Sequence, residues 1–126
     1  MSIGLILFAH GARDPRWAAP FEAVAERVRA QRPGMPVRLA FLELMSPGLL
    51  EAGAQLVAVG CTHITVLPLF LGAGGHVRKD LPLLVDQLRA AHPGTAFALQ
   101  PPIGEDPRII SAIADAAAAS LTDAAA

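Results

Sequence analysis

Residues 3–15 read IGLILFAHGARDP, an unbroken apolar run to Ala9 that ends in His10, Gly11 and an Arg13-Asp14-Pro15 turn. A run that is apolar at every position offers no face to water, which is how a central parallel strand reads. An imidazole closes it, where a simple turn residue would have sufficed.

Three more strand-like runs follow, at residues 36–42, 63–70 and 95–100, and an apolar pattern of helical period comes after each of the four. Phe21, Val24, Ala25 and Val28 form the first pattern, and Leu49, Ala52, Gly53 and Leu56 the second. Leu81, Leu84, Val85 and Leu88 form the third, and Ile110, Ile113, Ala114 and Ala117 the fourth. All are spaced as on one face of an amphipathic helix. Pro33-Gly34 and Pro93-Gly94 stop the first and third helices, while Pro47, Pro82 and Pro107 mark helix starts. Ser46 and Asp106 are the expected N-caps.

Strands alternating with helices imply a parallel sheet with right-handed crossovers and helices on both faces. Runs one and three are apolar on both faces and belong in the centre. Run two begins at Pro36 and carries Arg38, and run four is short, so both suit edges. The expected fold class is therefore α/β and flavodoxin-like, with four parallel strands in the order 2-1-3-4. That order puts the topological switch between strands one and three, where open α/β sheets bind ligands at the strands' carboxyl ends.

The chain has 126 residues, 53% hydrophobic and 17% charged, with a net charge of −1. This length suits a single domain over residues 1–126, with an alanine-rich tail at 115–126 expected to fray. A charge near zero provides no global field to recruit nucleic acid or an anionic membrane. The longest apolar stretch, residues 64–71, is interrupted by Pro68 and falls far short of the ~20 residues that span a bilayer. No basic leader precedes Ile3, so no signal peptide is expected. Cys61 is the only cysteine, which leaves no internal disulfide and points to a reducing cytoplasm.

The switch point collects the candidates for chemistry. His10 follows strand one, His76 lies in the loop expected after strand three, and Glu43 ends strand two in FLELMSP. Two imidazoles and a carboxylate with open positions suit a divalent iron, cobalt or nickel ion, and they accept protons near neutral pH. Gly72, Gly74 and Gly75 allow backbone to approach a flat ligand. Arg13, Arg16, Arg78 and Lys79 fall in the two histidine-bearing segments, where they would pair with the acid side chains of a polycarboxylate. Cys61 and His63 sit at the opposite end of strand three, His92 ends a helix, and Trp17 reads as packing.

Together HGARDP at 10–15, FLE at 41–43 and GGHVRKDLP at 74–82 resemble the small CbiX-type sirohydrochlorin chelatases, class II chelatases of cobalamin and sirohaem synthesis. The resemblance implies a chelatase-like fold and a homodimer of short subunits. It also implies insertion of Co²⁺ or Fe²⁺ as a metal substrate into the tetrapyrrole sirohydrochlorin, with no permanently bound cofactor. It maps the family's two metal-handling histidines onto His10 and His76 and its acidic partner onto Glu43. Arg13, Arg78, Lys79, Gly74 and Gly75 are then the expected substrate contacts. Ala12 departs from the pattern, because many relatives carry serine there.

Rival classes fit less well. A histidine phosphatase needs an arginine before its His-Gly pair, and Ala9 stands there. Neither G-x-G-x-x-G nor G-x-x-x-x-G-K-[ST] occurs, which removes the common nucleotide loops. A non-enzymatic divalent-metal carrier is the alternative that shares the same histidines.

Overall fold

The computed structural model describes residues 2–121. Its elements run β1 (Ile3–Ala9), α1 (Ala19–Gln31), β2 (Val37–Phe41), α2 (Leu49–Ala58), β3 (His63–Pro68), α3 (Gly75–Ala91), β4 (Ala96–Leu99) and α4 (Pro107–Ala119). Short 3-10 helices at Pro15–Ala18 and Ile103–Glu105 precede α1 and α4. The strands form one parallel sheet in the order β2-β1-β3-β4, as their sequence character required. No described helix is long and apolar enough to cross a membrane.

The register explains the unbroken apolar run of β1. Leu7 pairs with Leu39 on one side and Leu67 on the other, and Phe8 with Ala40 and Pro68. Ile6 and Phe8 point with Ile64, Val66 and Phe97 into the larger core, where α2 and α3 contribute Ala52, Leu56, Val85 and Leu88. Leu7 and Val37 point the other way and meet Ala25 and Val28 of α1. Leu56 and Leu88 are wholly buried, each contributing about 1.5–3 kcal/mol relative to an exposed side chain.

Some local expectations are corrected. Ser46 does not cap α2; a cis Ser46–Pro47 peptide precedes Gly48, which occupies the N-cap with extended backbone. Asp106 does cap α4, accepting a hydrogen bond from the Arg108 N–H. α3 begins at Gly75, well before the apolar pattern at Leu81, so Pro82 lies inside the helix and not at its start. Glycine and cations concealed that first turn, since they carry no apolar periodicity. His76, Arg78 and Lys79 are accordingly helical rather than in a loop. The alanine-rich stretch expected to fray from residue 115 continues as helix to Ala119, while residues 122–126 lie outside the described range.

Candidate functional site

The carboxyl ends of β1 and β2 are joined beyond their regular ladder. The Leu42 N–H donates to the Ala9 carbonyl at 2.9 Å, and the Glu43 N–H donates to the His10 carbonyl at 3.1 Å. These bonds carry the strand pairing to the residues that bear the side chains of interest. Gly11 makes this closure feasible. Its φ is +96°, and a Cβ there would overlap the Glu43 backbone carbonyl. Only glycine combines that torsion with that approach.

The result is a side-chain pair. His10 Nε2 lies 3.0 Å from Glu43 Oε1, and both side chains are about half exposed (50% and 55%). A carboxylate can only accept, so the imidazole donates through Nε2–H, and Nδ1 has no hydrogen-bond partner among the described residues. The ring also meets Phe70 edge-on, with centroids 6.3 Å apart and planes inclined at 68°. Phe70 in turn packs against Phe8 of β1. One carboxylate and one aromatic edge therefore orient the His10 ring.

After Glu43 the chain turns sharply. The Met45 N–H donates to the Glu43 carbonyl at 2.8 Å, with Leu44 between them at φ 66°. A left-handed leucine costs about 1–2 kcal/mol. Leu44 is 57% exposed and adjoins Glu43 in the chain, an apolar lip that hydrophobic periodicity could not signal. Leu71, which follows Phe70 at the end of the β3 segment, is 72% exposed. Phe70 and Leu44 are the contributors that reading the sequence missed. Phe70 could have been found from its place beside the glycine-rich segment; nothing local marked Leu44.

His76 occupies the first turn of α3, at the same edge of the sheet, and is exposed with no hydrogen-bond partner among the described residues. It does not join His10 and Glu43 in a preformed cluster. Among the described residues no three His, Cys, Asp or Glu side chains stand close enough to hold a metal ion together. The expected ligand trio is thus two-thirds assembled, because β1 and β2 are zipped together while α3 starts on the far side of β3's end. Gly74 is the N-cap of α3 and Gly75 its first residue, and a Cβ at either would meet open space.

The cations divide into free and committed. Arg13 and Lys79 are exposed and unpaired among the described residues. Arg78 donates to the Ala73 carbonyl and pairs with Glu105 at 3.1 Å, tying α3 to the segment before α4. Arg16 pairs with Asp14 at 2.8 Å; its side-chain hydrogen bond, with that of its own N–H, holds the Asp14 carboxyl below the usual range. Trp17 packs on Phe21 with ring centroids 4.6 Å apart, and Cys61 is buried as a free thiol. His92 caps the carboxyl end of α3. Hollows of about 460 and 430 Å³ elsewhere on the surface include none of His10, Glu43 and His76. The site is an open edge.

The CbiX family model matches residues 4–120. The chain is 32% identical over 120 residues to a sirohydrochlorin cobaltochelatase of Sulfolobus acidocaldarius, covering 95% of this chain and 94% of that protein. Among solved structures it resembles a protein from Marinobacter aquaeolei VT8, provisionally assigned as a CbiX protein of cobalamin (vitamin B12) biosynthesis. That likeness has 38% identity and a TM-score of 0.81, over 93% and 95% of the two chains. It also resembles the sirohydrochlorin chelatase SirB of Bacillus subtilis subspecies spizizenii in complex with cobalt, with 25% identity and a TM-score of 0.82. Here it covers 95% of its own length but 51% of the SirB chain. With a family model spanning all eight strands and helices and full-length relatives of the same topology, the chain belongs to the CbiX family.

Proposed function

We propose that this protein is a sirohydrochlorin chelatase, an enzyme that inserts Co²⁺ or Fe²⁺ into the tetrapyrrole. The observation that carries the reading is the exposed His10–Glu43 pair at the switch point of a CbiX-family sheet. Insertion exchanges one divalent ion for two pyrrolic protons, so the site must release metal and collect protons. His10 Nδ1 accepts the ion or a proton, and Glu43 stabilises the imidazolium that forms. His76, unpaired on the first turn of α3, supplies the second imidazole from the β3 side.

Weak holding suits a metal that must leave. A carrier is better served by a closed ligand set, and the described residues contain no such cluster. Leu44 and Leu71 offer apolar surface to the macrocycle. Arg13 and Lys79 are the free cations for its peripheral carboxylates; Arg78, committed to Glu105, is the weaker candidate. Gly74 and Gly75 leave the edge of α3 open for a flat ligand. The working unit is a homodimer, since one open edge walls a disc on one side and SirB has about twice this length. The reduced thiol of Cys61 is in keeping with action in the cytoplasm.

Anaerobic incubation of the metal-free protein with sirohydrochlorin and Co²⁺ or Fe²⁺, followed by absorption, tests the reading. A rate well above the protein-free reaction is expected. A protein that binds metal but neither binds the tetrapyrrole nor accelerates insertion would be the carrier instead.

A further inference from the structure

Resting on the chelatase reading above, we propose that Glu105 is a positioning residue: through Arg78 it holds the first turn of α3 so that His76 faces the β1 side, where His10 stands. Arg78 is then a strut of the site and not a contact for the tetrapyrrole's carboxylates.

Its reach sets this ion pair apart. Among the described residues, the pairs made by Arg16, Arg29, Arg89 and Arg108 each join residues two or three apart in the chain. Two pairs join separate elements, His10–Glu43 across 33 residues and Arg78–Glu105 across 27. Both stand at the carboxyl edge of the sheet. The first closes the end of β1 onto the end of β2, and the second closes α3 onto the 3-10 turn that follows β4.

Few other restraints act on the first turn of α3. Its N-cap, Gly74, makes no side-chain bond, and no acidic residue lies in the turn to complement the helix dipole. Pro82 has no N–H, so the Arg78 carbonyl lacks the donor that a regular helix would supply. Arg78 provides the missing restraint with its side chain. Its Nε–H donates to the Ala73 carbonyl at 3.1 Å, and its Nη2 donates to Glu105 Oε2 at 3.1 Å. One planar guanidinium thereby ties the helix start to the segment before it and to the neighbouring turn, a geometry that a lysine ammonium does not reproduce.

Glu105 is presented by a stiff bracket. The Gln100 N–H donates to the Val66 carbonyl and the Gly104 N–H to the Phe70 carbonyl, both at 2.9 Å. A Cβ at Gly104 would overlap the Leu71 backbone, so the turn lies directly on the end of the β3 segment. Pro101 and Pro102 fix their own φ, and Asp106 caps α4 immediately afterwards. The bracket thus holds Phe70, whose ring meets His10, and through Arg78 it holds the turn that bears His76.

Helix geometry sets the direction. An α-helix turns about 100° per residue, so His76 lies roughly 200° around α3 from Arg78. The end of β3 has β4 on one side and β1 on the other. With Arg78 drawn to the β4 side, His76 is turned to the β1 side. Lys79, three residues on from His76, shares that side of the helix and remains its free cation.

The test is the initial rate of Co²⁺ insertion, without oxygen, over a range of sirohydrochlorin concentrations. The variants are Glu105→Ala, Arg78→Ala, Arg78→Lys and the double variant Arg78→Ala with Glu105→Ala, all expected to keep wild-type circular dichroism. Each single variant should lose about three- to tenfold in kcat, less than the ~100-fold cost of a misplacement of about 1 Å, because an exposed pair restrains weakly. KM for the tetrapyrrole should stay within about twofold of the wild type. The double variant should be no slower than the slower single variant, since the two residues act as a unit. Arg78→Lys keeps the charge without the planar fork, so it should not restore kcat. Asp86→Asn, which breaks the Arg89 pair further along α3, should match the wild type. An unchanged kcat in Glu105→Ala would overturn the positioning role. So would a lower KM in Glu105→Ala with a raised KM in Arg78→Ala, the signature of an arginine that binds substrate. A wild type that inserts no metal would instead overturn the chelatase reading, and the positioning role with it.

Discussion

Replacing Gly11 with alanine tests how the His10–Glu43 pair is built. Gly11 and Gly34 share a left-handed backbone, with φ of +96° and +84°, but differ in surroundings. A Cβ at Gly34 meets nothing within 4 Å, whereas one at Gly11 overlaps the Glu43 carbonyl. Gly34→Ala therefore carries the torsional cost alone, about 1–2 kcal/mol. Gly11→Ala adds an overpacking cost of about 1–3 kcal/mol, for a total of about 2–5 kcal/mol. At roughly 4 °C per kcal/mol for a chain of this size, melting should fall by about 4–8 °C for Gly34→Ala and about 8–20 °C for Gly11→Ala. The clash also pushes the end of β2 from β1, so Gly11→Ala should lose metal insertion even well below its melting point, while Gly34→Ala keeps it. Thermal melts by circular dichroism and insertion assays on both variants decide the matter. Equal melting temperatures with equal activities would show that the β1–β2 closure does not position the pair.

The other expectations concern charge. Arg13→Ala and Lys79→Ala should weaken sirohydrochlorin binding more than metal binding, and added salt should weaken the wild type likewise, with exposed pairs screened over ~8 Å at physiological ionic strength; unchanged tetrapyrrole affinity in both variants would return them to plain surface. Glu43→Gln keeps a hydrogen-bond acceptor for His10 Nε2–H but removes the charge that stabilises imidazolium, so insertion should slow while metal-free folding is unchanged; a wild-type rate would remove Glu43 from the chemistry. The Asp106 carboxyl is lowered from 3.8 to about 2, first by the Arg108 side-chain hydrogen bond and next by the Arg108 N–H. A depressed folded value means stability present above 3.8 and lost as pH falls through about 2. Helix content should therefore decline over that interval in the wild type and less in Asp106→Asn; coincident acid titrations of the two would refute the cap.

The sheet order was readable because burial leaves a composition signature. β1 and β3 carry apolar residues on both faces, and Pro36 and Arg38 mark β2 as an edge. The carboxyl-edge placement of His10 and Glu43 followed from that order, yet their 3.0 Å contact did not. It depends on backbone bonds beyond the strand ends and on a positive φ at Gly11, neither of which periodicity encodes. The start of α3 was hidden for a related reason, since Gly74, Gly75, His76, Arg78 and Lys79 show no apolar spacing. The four apolar positions of α4 were legible as a helix face, but periodicity could not show that none of them is buried in the folded chain.

The central claim is that His10 and His76 act together on the metal and its displaced protons. The most direct test measures the initial rate of Co²⁺ insertion into sirohydrochlorin, without oxygen, for the wild type, His10→Ala and His76→Ala, alongside far-ultraviolet circular dichroism of each. Both histidines are exposed, so both variants should fold as the wild type does. Each should lose about a hundredfold or more in rate, the scale of a lost proton-transfer group. Near wild-type rates in two well-folded variants would contradict the account.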